Sequence, residues 1–189
     1  YSVGVPIARM EEKALAFFEK AAAYDPEADH IWGALAKIYE DLNQPDRALE
    51  ADRRALEIDR ENAPAWFGLG TLHFKTGNYD EAIKALESLV ALFPQDPAEV
   101  RRILSHVMPY GRTAENFGIV RVPRAHNTLG LAYTRKGDLA KAVAHLEAAV
   151  AIDPQPGYRA NLANAYADTG RFEDATRIYE ELISQKPDD

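Results

Sequence analysis

The sequence predicts an all-α protein assembled from copies of one helix–turn–helix unit. A recurring turn, a regular spacing between its copies and helical periodicity on both sides of it support this prediction. The turn is a Gly or Asn followed, five residues later, by an Ala that opens an apolar run. Its four copies in the 189 residues are EDLNQPDRA, FKTGNYDEA, TRKGDLAKA and ADTGRFEDA.

The spacing of this turn gives the length of the unit. The opening alanines are Ala48, Ala82, Ala142 and Ala175, at intervals of 34, 60 and 33 residues. The middle interval exceeds the others by about 26 residues, so we expect one repeat length and one insertion.

Each unit contains two predicted helices. The first helix places apolar side chains at i, i+3, i+4 and i+7, which is one face of a 3.6-residue period. In the first full unit these are Trp32, Leu35, Ala36 and Tyr39. A Gly at 77, 137 or 170 should end the first helix, because Gly adopts the left-handed cap at little cost. The second helix starts at the motif's Ala and ends near a Pro, which cannot continue a helix interior.

This pattern resembles the tetratricopeptide repeat, in which Trp, Leu, Gly or Ala, Tyr, Ala and Pro recur at fixed positions. The resemblance predicts a single domain over 1–189. It comprises a half repeat at 6–28, repeats at 29–62, 63–96, 123–155 and 156–189, and a non-repeat insertion at 97–122. The resemblance implies an all-α, right-handed superhelical solenoid that binds peptides or partner proteins on a concave face lined by the first helices.

The composition narrows the classes of function. The net charge is −8 and the pI about 5.2, which disfavours nonspecific nucleic-acid binding. No apolar run approaches the ~20 residues that span a bilayer. Cysteine is absent, so disulfides and thiolate metal sites are excluded, while cytoplasmic and periplasmic locations both stay open. There is no signal peptide and the chain starts at Tyr1, so we expect it to be processed or cut from a longer protein.

No motif points to catalysis, a cofactor or a metal. The G-x-S-x-G elbow, the H-E-x-x-H motif, the P-loop and the dinucleotide fingerprint are all missing. The five histidines lie far apart in the sequence, and His73 and His126 take a Tyr and a Trp position of the repeat. We therefore expect packing rather than metal ligation and predict a non-catalytic binding scaffold. The alternatives are an architectural or oligomerisation segment and the regulatory arm of a larger enzyme.

The expected binding surface is the concave face of the second and third full repeats, which is basic, with aromatic side chains and amides beside the basic groups. The candidate peptide-binding residues are Lys37, Phe67, Thr71, Phe74, Lys75, Arg124, Asn127, Leu131, Arg135 and Asn164. We expect an extended partner segment that carries an acidic side chain next to an apolar one. The family's two-carboxylate clamp begins with Lys and Asn one turn apart. This chain has Gly33 and Lys37 there, so that clamp is not expected.

One residue departs from the repeat inside a predicted core seam. Asp52 stands where the other repeats have Leu86, Leu146 and Tyr179. A buried carboxylate needs a partner, so we expect Asp52 to contact His73 or the hydroxyl of Tyr39, with rotation into solvent as the alternative.

The insertion should begin with a helix over about 97–108, because Asp96 is a suitable N-cap, Pro97 suits the first turn and Glu99 completes a capping box. A short extended stretch, GIVRV, ends the insertion. We expect 110–121 to be ordered and to lie on the array, across the mouth of the groove.

The last repeat is followed at once by the end of the chain. The apolar residues expected to lack cover there are Phe172, Ile178, Leu182 and Ile183. Such a surface predicts either a capping segment in a longer protein or a homo-oligomer formed through the uncapped terminal repeats.

Overall fold

The computed structural model describes residues 7–107 and 118–185. These residues form ten α-helices and one 3-10 helix, with no strand among them, which confirms the predicted all-α class. The helices are α1 (Ile7–Tyr24), α2 (Asp29–Asp41), α3 (Pro45–Ile58), α4 (Ala63–Lys75), α5 (Tyr79–Ala91), α6 (Pro97–Val107), α7 (Val122–Lys136), α8 (Leu139–Ile152), α9 (Pro156–Asp168) and α10 (Phe172–Ser184). The 3-10 helix is Ile119–Arg121.

The recurring turn is a left-handed residue between the two helices of a repeat. Gly77, Gly137 and Gly170 have φ between 79° and 81°, and Asn43 has φ 55°. Glycine adopts this conformation without a steric penalty, and Asn is one of the few other residues that tolerate it. The chain therefore reverses direction at the same point of every full repeat.

The two helices of a repeat cross where the first helix has its smallest residue. A Cβ atom on Gly70 would lie 2.4 Å from Leu86 Cγ, and one on Gly130 would lie 2.4 Å from Leu146 Cγ. Both leucines are fully buried. The leucine side chain thus fills the space that the missing Cβ leaves, and the two backbones approach closely.

Two tryptophans form hydrogen bonds to the end of the preceding repeat. The indole Nε1 of Trp32 donates to the carbonyl of Pro26, and that of Trp66 donates to the carbonyl of Arg60, both at 2.9 Å. Each indole thus bonds to the chain just before its own helix. Both tryptophans are half-buried, and the same bond recurs in two successive repeats.

The insertion does not interrupt the stack, because α5 lies directly against α7. Val90, Val100, Ile119 and Leu129 belong to one buried cluster that joins α5, α6, the 3-10 helix and α7. The helix α6 lies against α8, so the inserted chain packs onto the array.

The predicted start of the insertion is confirmed, since α6 begins at Pro97 and Asp96 Oδ1 accepts from the Ala98 amide at 2.9 Å. The prediction of an extended GIVRV is wrong. Its residues form the 3-10 helix and the start of α7, because Ile119 is drawn into the core beside α4. Of the predicted ordered stretch, 110–121, residues 110–117 lie outside the described residues.

The face of α10 is only partly uncovered. Phe172 and Ile183 are 67% and 71% exposed, as expected. The expectation is wrong for Ile178 and Leu182, which are half-buried. Ile178 packs on the core cluster that α8 and α9 share with α10.

The glycine crossing makes a testable prediction. Gly130→Ala should lower the free energy of unfolding by roughly 1–3 kcal/mol, because its Cβ would collide with Leu146 and lie 3.1 Å from the carbonyl oxygen of Ala142. Gly33→Ala in α2 is the matched control. Its Cβ meets no atom within 4 Å, so helix propensity should raise stability by up to about 1 kcal/mol. Urea unfolding followed by circular dichroism measures the free energy of unfolding of both variants. Equal changes in the two variants would contradict the close packing of Gly130 against Leu146.

Candidate functional site

A cavity of about 1610 Å³ lies between α2, α4 and the start of α7. The first helices of three successive repeats therefore contribute to its walls. The helix α3 adds Ala48 and Asp52, and the end of the insertion adds Gly118, Val120 and Arg121. Gly118 fits here because a Cβ would come within 2.8 Å of Phe93 and Ala63 side chains.

Half of the predicted groove residues line this cavity. They are Lys37, Phe67, Thr71, Lys75 and Arg124. The other five, which are absent from its walls, are Phe74, Asn127, Leu131, Arg135 and Asn164. The structure thus gathers the part of the set nearer the N-terminus, between the first full repeat and the start of the third. Whether any of these residues binds a partner stays a prediction.

Three of the remaining residues have internal partners instead. The ring of Phe74 lies 5.7 Å from that of Tyr79. Asn127 Oδ1 accepts from the side-chain amide of Asn161 at 2.8 Å, and Asn164 Oδ1 accepts from the Tyr179 hydroxyl at 2.5 Å. The Oδ1 atoms of Asn127 and Asn164 thus join neighbouring helices.

The cavity is less basic than the sequence suggests. Lys75 pairs with Glu40 across α2 and α4, and Lys37 Nζ lies 2.5 Å from Asp41 Oδ1. Such exposed pairs add little stability, but they place a negative charge beside each ammonium group. The carboxylates that line the cavity are Asp29, Glu40, Asp52, Asp59 and Glu61.

The basic character is concentrated beside Phe67. The guanidinium carbon of Arg124 lies 5.3 Å from the Phe67 ring centroid, and that of Arg121 lies 5.9 Å from it. We call these three residues the Arg–Phe platform. Both distances suit cation–π attraction, which holds the guanidinium groups near the ring. Arg124 is exposed and forms no ion pair with any described residue.

Asp52 is buried beneath the same cavity. It is 5% exposed, and its carboxyl group makes no hydrogen bond to a described residue. Burial, and next the negative charge of Glu40, raise the pKa of Asp52 to about 8. A Cβ on Gly68 would lie 2.2 Å from Asp52 Oδ2, so the carboxyl group rests against the bare backbone of α4.

The predicted contact of Asp52 with His73 or Tyr39 is wrong. The Tyr39 hydroxyl donates to Glu19 at 2.9 Å and accepts from Arg47 at 2.8 Å. His73 Nδ1 is buried without a hydrogen-bond partner. The space above Gly68 takes the carboxyl group instead, which keeps it away from both predicted partners.

The pKa of Asp52 makes stability depend on pH. The carboxyl group ionises near its ordinary value of 3.8 in the unfolded chain but only near 8 in the folded protein. The unfolded state is therefore favoured increasingly as pH rises between these values, by about 1 kcal/mol per pH unit. Asp52→Asn should therefore be more stable than the wild type at pH 8, and this gain in stability should be smaller at pH 5.

Thermal unfolding at both pH values tests this expectation. Asp168→Asn, which changes an exposed carboxylate in α9, is the control and should show no such trend. A wild-type-to-variant difference in Tm that is the same at pH 5 and pH 8 would refute an elevated pKa for Asp52.

The sequence analysis missed a pair of histidines. His126 Nδ1 and His145 Nδ1 are 3.0 Å apart, so one nitrogen donates and the other accepts. The ring of Tyr133 stacks on that of His145 at 5.4 Å, and its hydroxyl donates to Glu87 Oε1 at 2.5 Å. Nowhere in the described ranges do three His, Asp or Glu side chains come together in an arrangement that holds a metal ion.

The repeat alignment contains a signal for this pair. In the preceding repeat the two positions hold Trp66 and Ala85, a large ring facing a small side chain. In the later repeat they hold His126 and His145, two rings of intermediate size. The exchange roughly conserves the summed volume of the two side chains, as a closely packed core requires.

Burial, and next the neighbouring His145, lower the pKa of His126 to about 4, and burial also lowers the pKa of His145. In the folded protein His126 therefore stays neutral while the same residue of the unfolded chain gains a proton. Stability should fall as pH drops from about 6.5 towards 4, by about 1 kcal/mol per pH unit for His126, and the lowered pKa of His145 acts in the same direction.

The double variant His126→Trp, His145→Ala restores the pattern of the other repeat and should lose much of this acid sensitivity. The control is His30→Ala, since the His30 side chain is 79% exposed. The measurement is the Tm at pH 7 and pH 5. Identical drops in the wild type and in the double variant would mean that the pair does not titrate as described.

Sequence patterns of the tetratricopeptide repeat match the chain over residues 34–97 and, in a second form, over residues 10–51 and 124–189. The chain belongs to the tetratricopeptide repeat family. Residues 98–123 fall between the matched ranges. Membership of the family supports a protein-interaction scaffold in general, and arrays of this fold are typically non-catalytic.

In two similar proteins the matched segment is a small part of a longer chain. Human protein O-mannosyl-transferase TMTC3 is 27% identical over 204 residues, covering 94% of this chain and 21% of that protein. The Arabidopsis thaliana protein CTR9 homolog is 26% identical over 88 residues, which are 47% of this chain and 8% of that protein. The chain thus spans about a fifth of the first relative and less of the second.

Solved structures show the same fold. MamA has a TM-score of 0.70 at 21% identity, with 92% of this chain and 87% of that chain covered. The Pseudomonas aeruginosa PilF structure has a TM-score of 0.70 at 21% identity, with 96% and 72% covered. In the described part of this chain no helix is long and apolar enough to cross a membrane.

Proposed function

We propose that this array binds an extended segment of a partner protein in the cavity between α2, α4 and the start of α7. The observation that carries the proposal is the Arg–Phe platform at the edge of that cavity. The insertion, α4 and α7 each supply one of its residues, so it exists only because the inserted chain returns to the array at this point.

The platform offers two kinds of contact side by side. The half-buried ring of Phe67 presents an apolar surface, and the guanidinium group of Arg124 has no carboxylate partner among the described residues. Arginine binds carboxylates through two parallel hydrogen bonds. An apolar side chain next to an acidic one therefore fits this edge.

The size and shape of the cavity suit a peptide. Its volume of about 1610 Å³ exceeds that of ordinary small-molecule pockets, which run from about 300 to 1,000 Å³. Several turns of α2 and α4 line it, so an extended chain can contact successive helices. Scaffolds of this family bind partner segments in general. The proposed binding differs in its location and in the chemistry of the residues, which are specific to this chain.

A second candidate function is self-association through α10. The exposed Phe172 and Ile183 give this end of the array an apolar surface. An exposed patch of this kind is typical of protein contact sites. Sedimentation velocity over a range of concentrations tests it, and a sedimentation coefficient that does not change would count against self-association.

The cavity makes a further testable prediction. Arg124→Glu should weaken binding of peptides that carry an acidic residue beside an apolar one by roughly tenfold or more, because it reverses the charge that meets the carboxylate. A peptide array recovers the binders, and fluorescence anisotropy measures Kd.

Arg101→Glu is the matched control, since it makes the same charge change on an exposed arginine of α6 outside the cavity. It should leave Kd unchanged. Circular dichroism verifies the fold of both variants. Equal binding by the wild type and Arg124→Glu would rule out the platform as the recognition site.

A further inference from the structure

We propose that Asp52 forms a second subsite of the cavity, which takes a Lys or Arg side chain of the bound segment. This inference rests on the proposed function, because it concerns the chemistry of the same segment. It adds a cationic residue to the acidic and apolar pair that the Arg–Phe platform recognises.

The first argument is the state of the carboxyl group. Asp52 lines the cavity, yet it is 5% exposed and has no hydrogen-bond partner among the described residues. The oxygens of Asp52 still reach the cavity, because the described side-chain atom that is fully buried without a partner is His73 Nδ1. A hydrogen bond from a charged donor to such an oxygen is stronger than one from a neutral donor. The open side of Asp52 is the cavity, so the donor must come from whatever occupies the cavity.

The second argument is that both residues that meet at the helix crossing of the first full repeat differ from those of the next two repeats. Gly70 and Gly130 each face a Leu of the second helix, and that Leu fills the crossing. In the first full repeat the corresponding pair is Ala36 and Asp52, both of which line the cavity. The larger first residue and the shorter second one leave the crossing less filled by side chain. Gly68 of the next repeat then accommodates the carboxyl group.

The third argument is the charge around Asp52. Glu40 lies close enough for its negative charge to raise the pKa of Asp52. Asp29, Asp59 and Glu61 add further carboxylates to the cavity. The two lysines of the cavity already have acidic partners, Asp41 and Glu40. Of the charged groups that line the cavity, the one that acts on Asp52 is the negative Glu40, so a cation is attracted to this part of the cavity.

A long basic side chain also fits the apolar surroundings. Ala36, Ala48 and Leu72 line the cavity beside Asp52. Lys and Arg carry aliphatic stems that pack on such surfaces while the charged end reaches a polar group. The subsite thus contacts both parts of the side chain.

Binding at this subsite is coupled to a proton. With a pKa of about 8, the carboxyl group is mostly protonated at pH 7 in the free protein. When the cation arrives, the O–H bond of Asp52 breaks, the proton passes to the buffer, and the carboxylate accepts an N–H hydrogen bond from the ligand. Close to one proton is released per bound segment, so affinity should rise as pH approaches 8.

The test is a positional-scanning library of acetylated, amidated decapeptides, applied to the whole chain and three variants. The wild type should enrich Lys or Arg at one position. Asp52→Asn, which keeps the volume and a hydrogen-bond donor but cannot ionise, should reduce binding of the enriched peptides roughly tenfold or more. Asp52→Leu, which installs the residue of the other repeats, should do the same.

Arg124→Glu separates this inference from the proposed function. It should lose the acidic preference and keep the Lys or Arg preference. Peptides that bind without any basic preference, or a preference that survives in Asp52→Asn, would overturn the inference and leave the proposed function standing.

A second measurement decides the inference even if no peptide binds. Carbon-13 NMR of the Asp52 carboxyl group gives its pKa in methylguanidinium chloride and in sodium chloride at equal ionic strength. Methylguanidinium should lower that pKa in a saturable manner. A pKa that is the same in both salts would sink the subsite. A lowered pKa without any peptide binding would support the subsite and remove the proposed function.

Discussion

The close crossing of two helices within each repeat is the constraint on which the rest of the structure depends. In the second and third full repeats, a glycine of the first helix meets a fully buried leucine of the second. This contact sets how closely the two helices of a pair approach each other. Stacking then needs only that the second helix of one pair meet the first helix of the next.

The close contact lies within a repeat, and an insertion between two repeats leaves it intact. The chain leaves after α5 and returns at the 3-10 helix, yet α5 and α7 still meet directly. The returning residues bury Ile119 in the shared core. The same return places Arg121 beside Phe67. The unusual segment therefore changes the surface of the cavity while leaving the stack as it would be in an uninterrupted array.

The functional candidates arise where the crossing or the neighbouring seam departs from its usual residues. Asp52 replaces a leucine and brings a carboxyl group to the cavity, with Gly68 making room for it. His126 replaces the tryptophan that ties the preceding repeats to their neighbours, and His145 takes up the space across the seam. In both cases the helices still pack together while the polarity changes, so the fold is preserved and the chemistry is new.

The sequence by itself determined the helices, their turns and their register. These follow from local properties: the left-handed preference of Gly77, the helix-starting Pro97 and the 3.6-residue spacing of Trp32, Leu35 and Tyr39 act within a few residues. The tertiary structure decided the charge and location of the cavity, because Lys75 meets Glu40 only when α2 and α4 are stacked. It also decided the contacts of Asp52 and the pairing of His126 with His145. Those contacts depend on which side chain from another helix fills each space, and a periodic pattern read along one chain does not specify this.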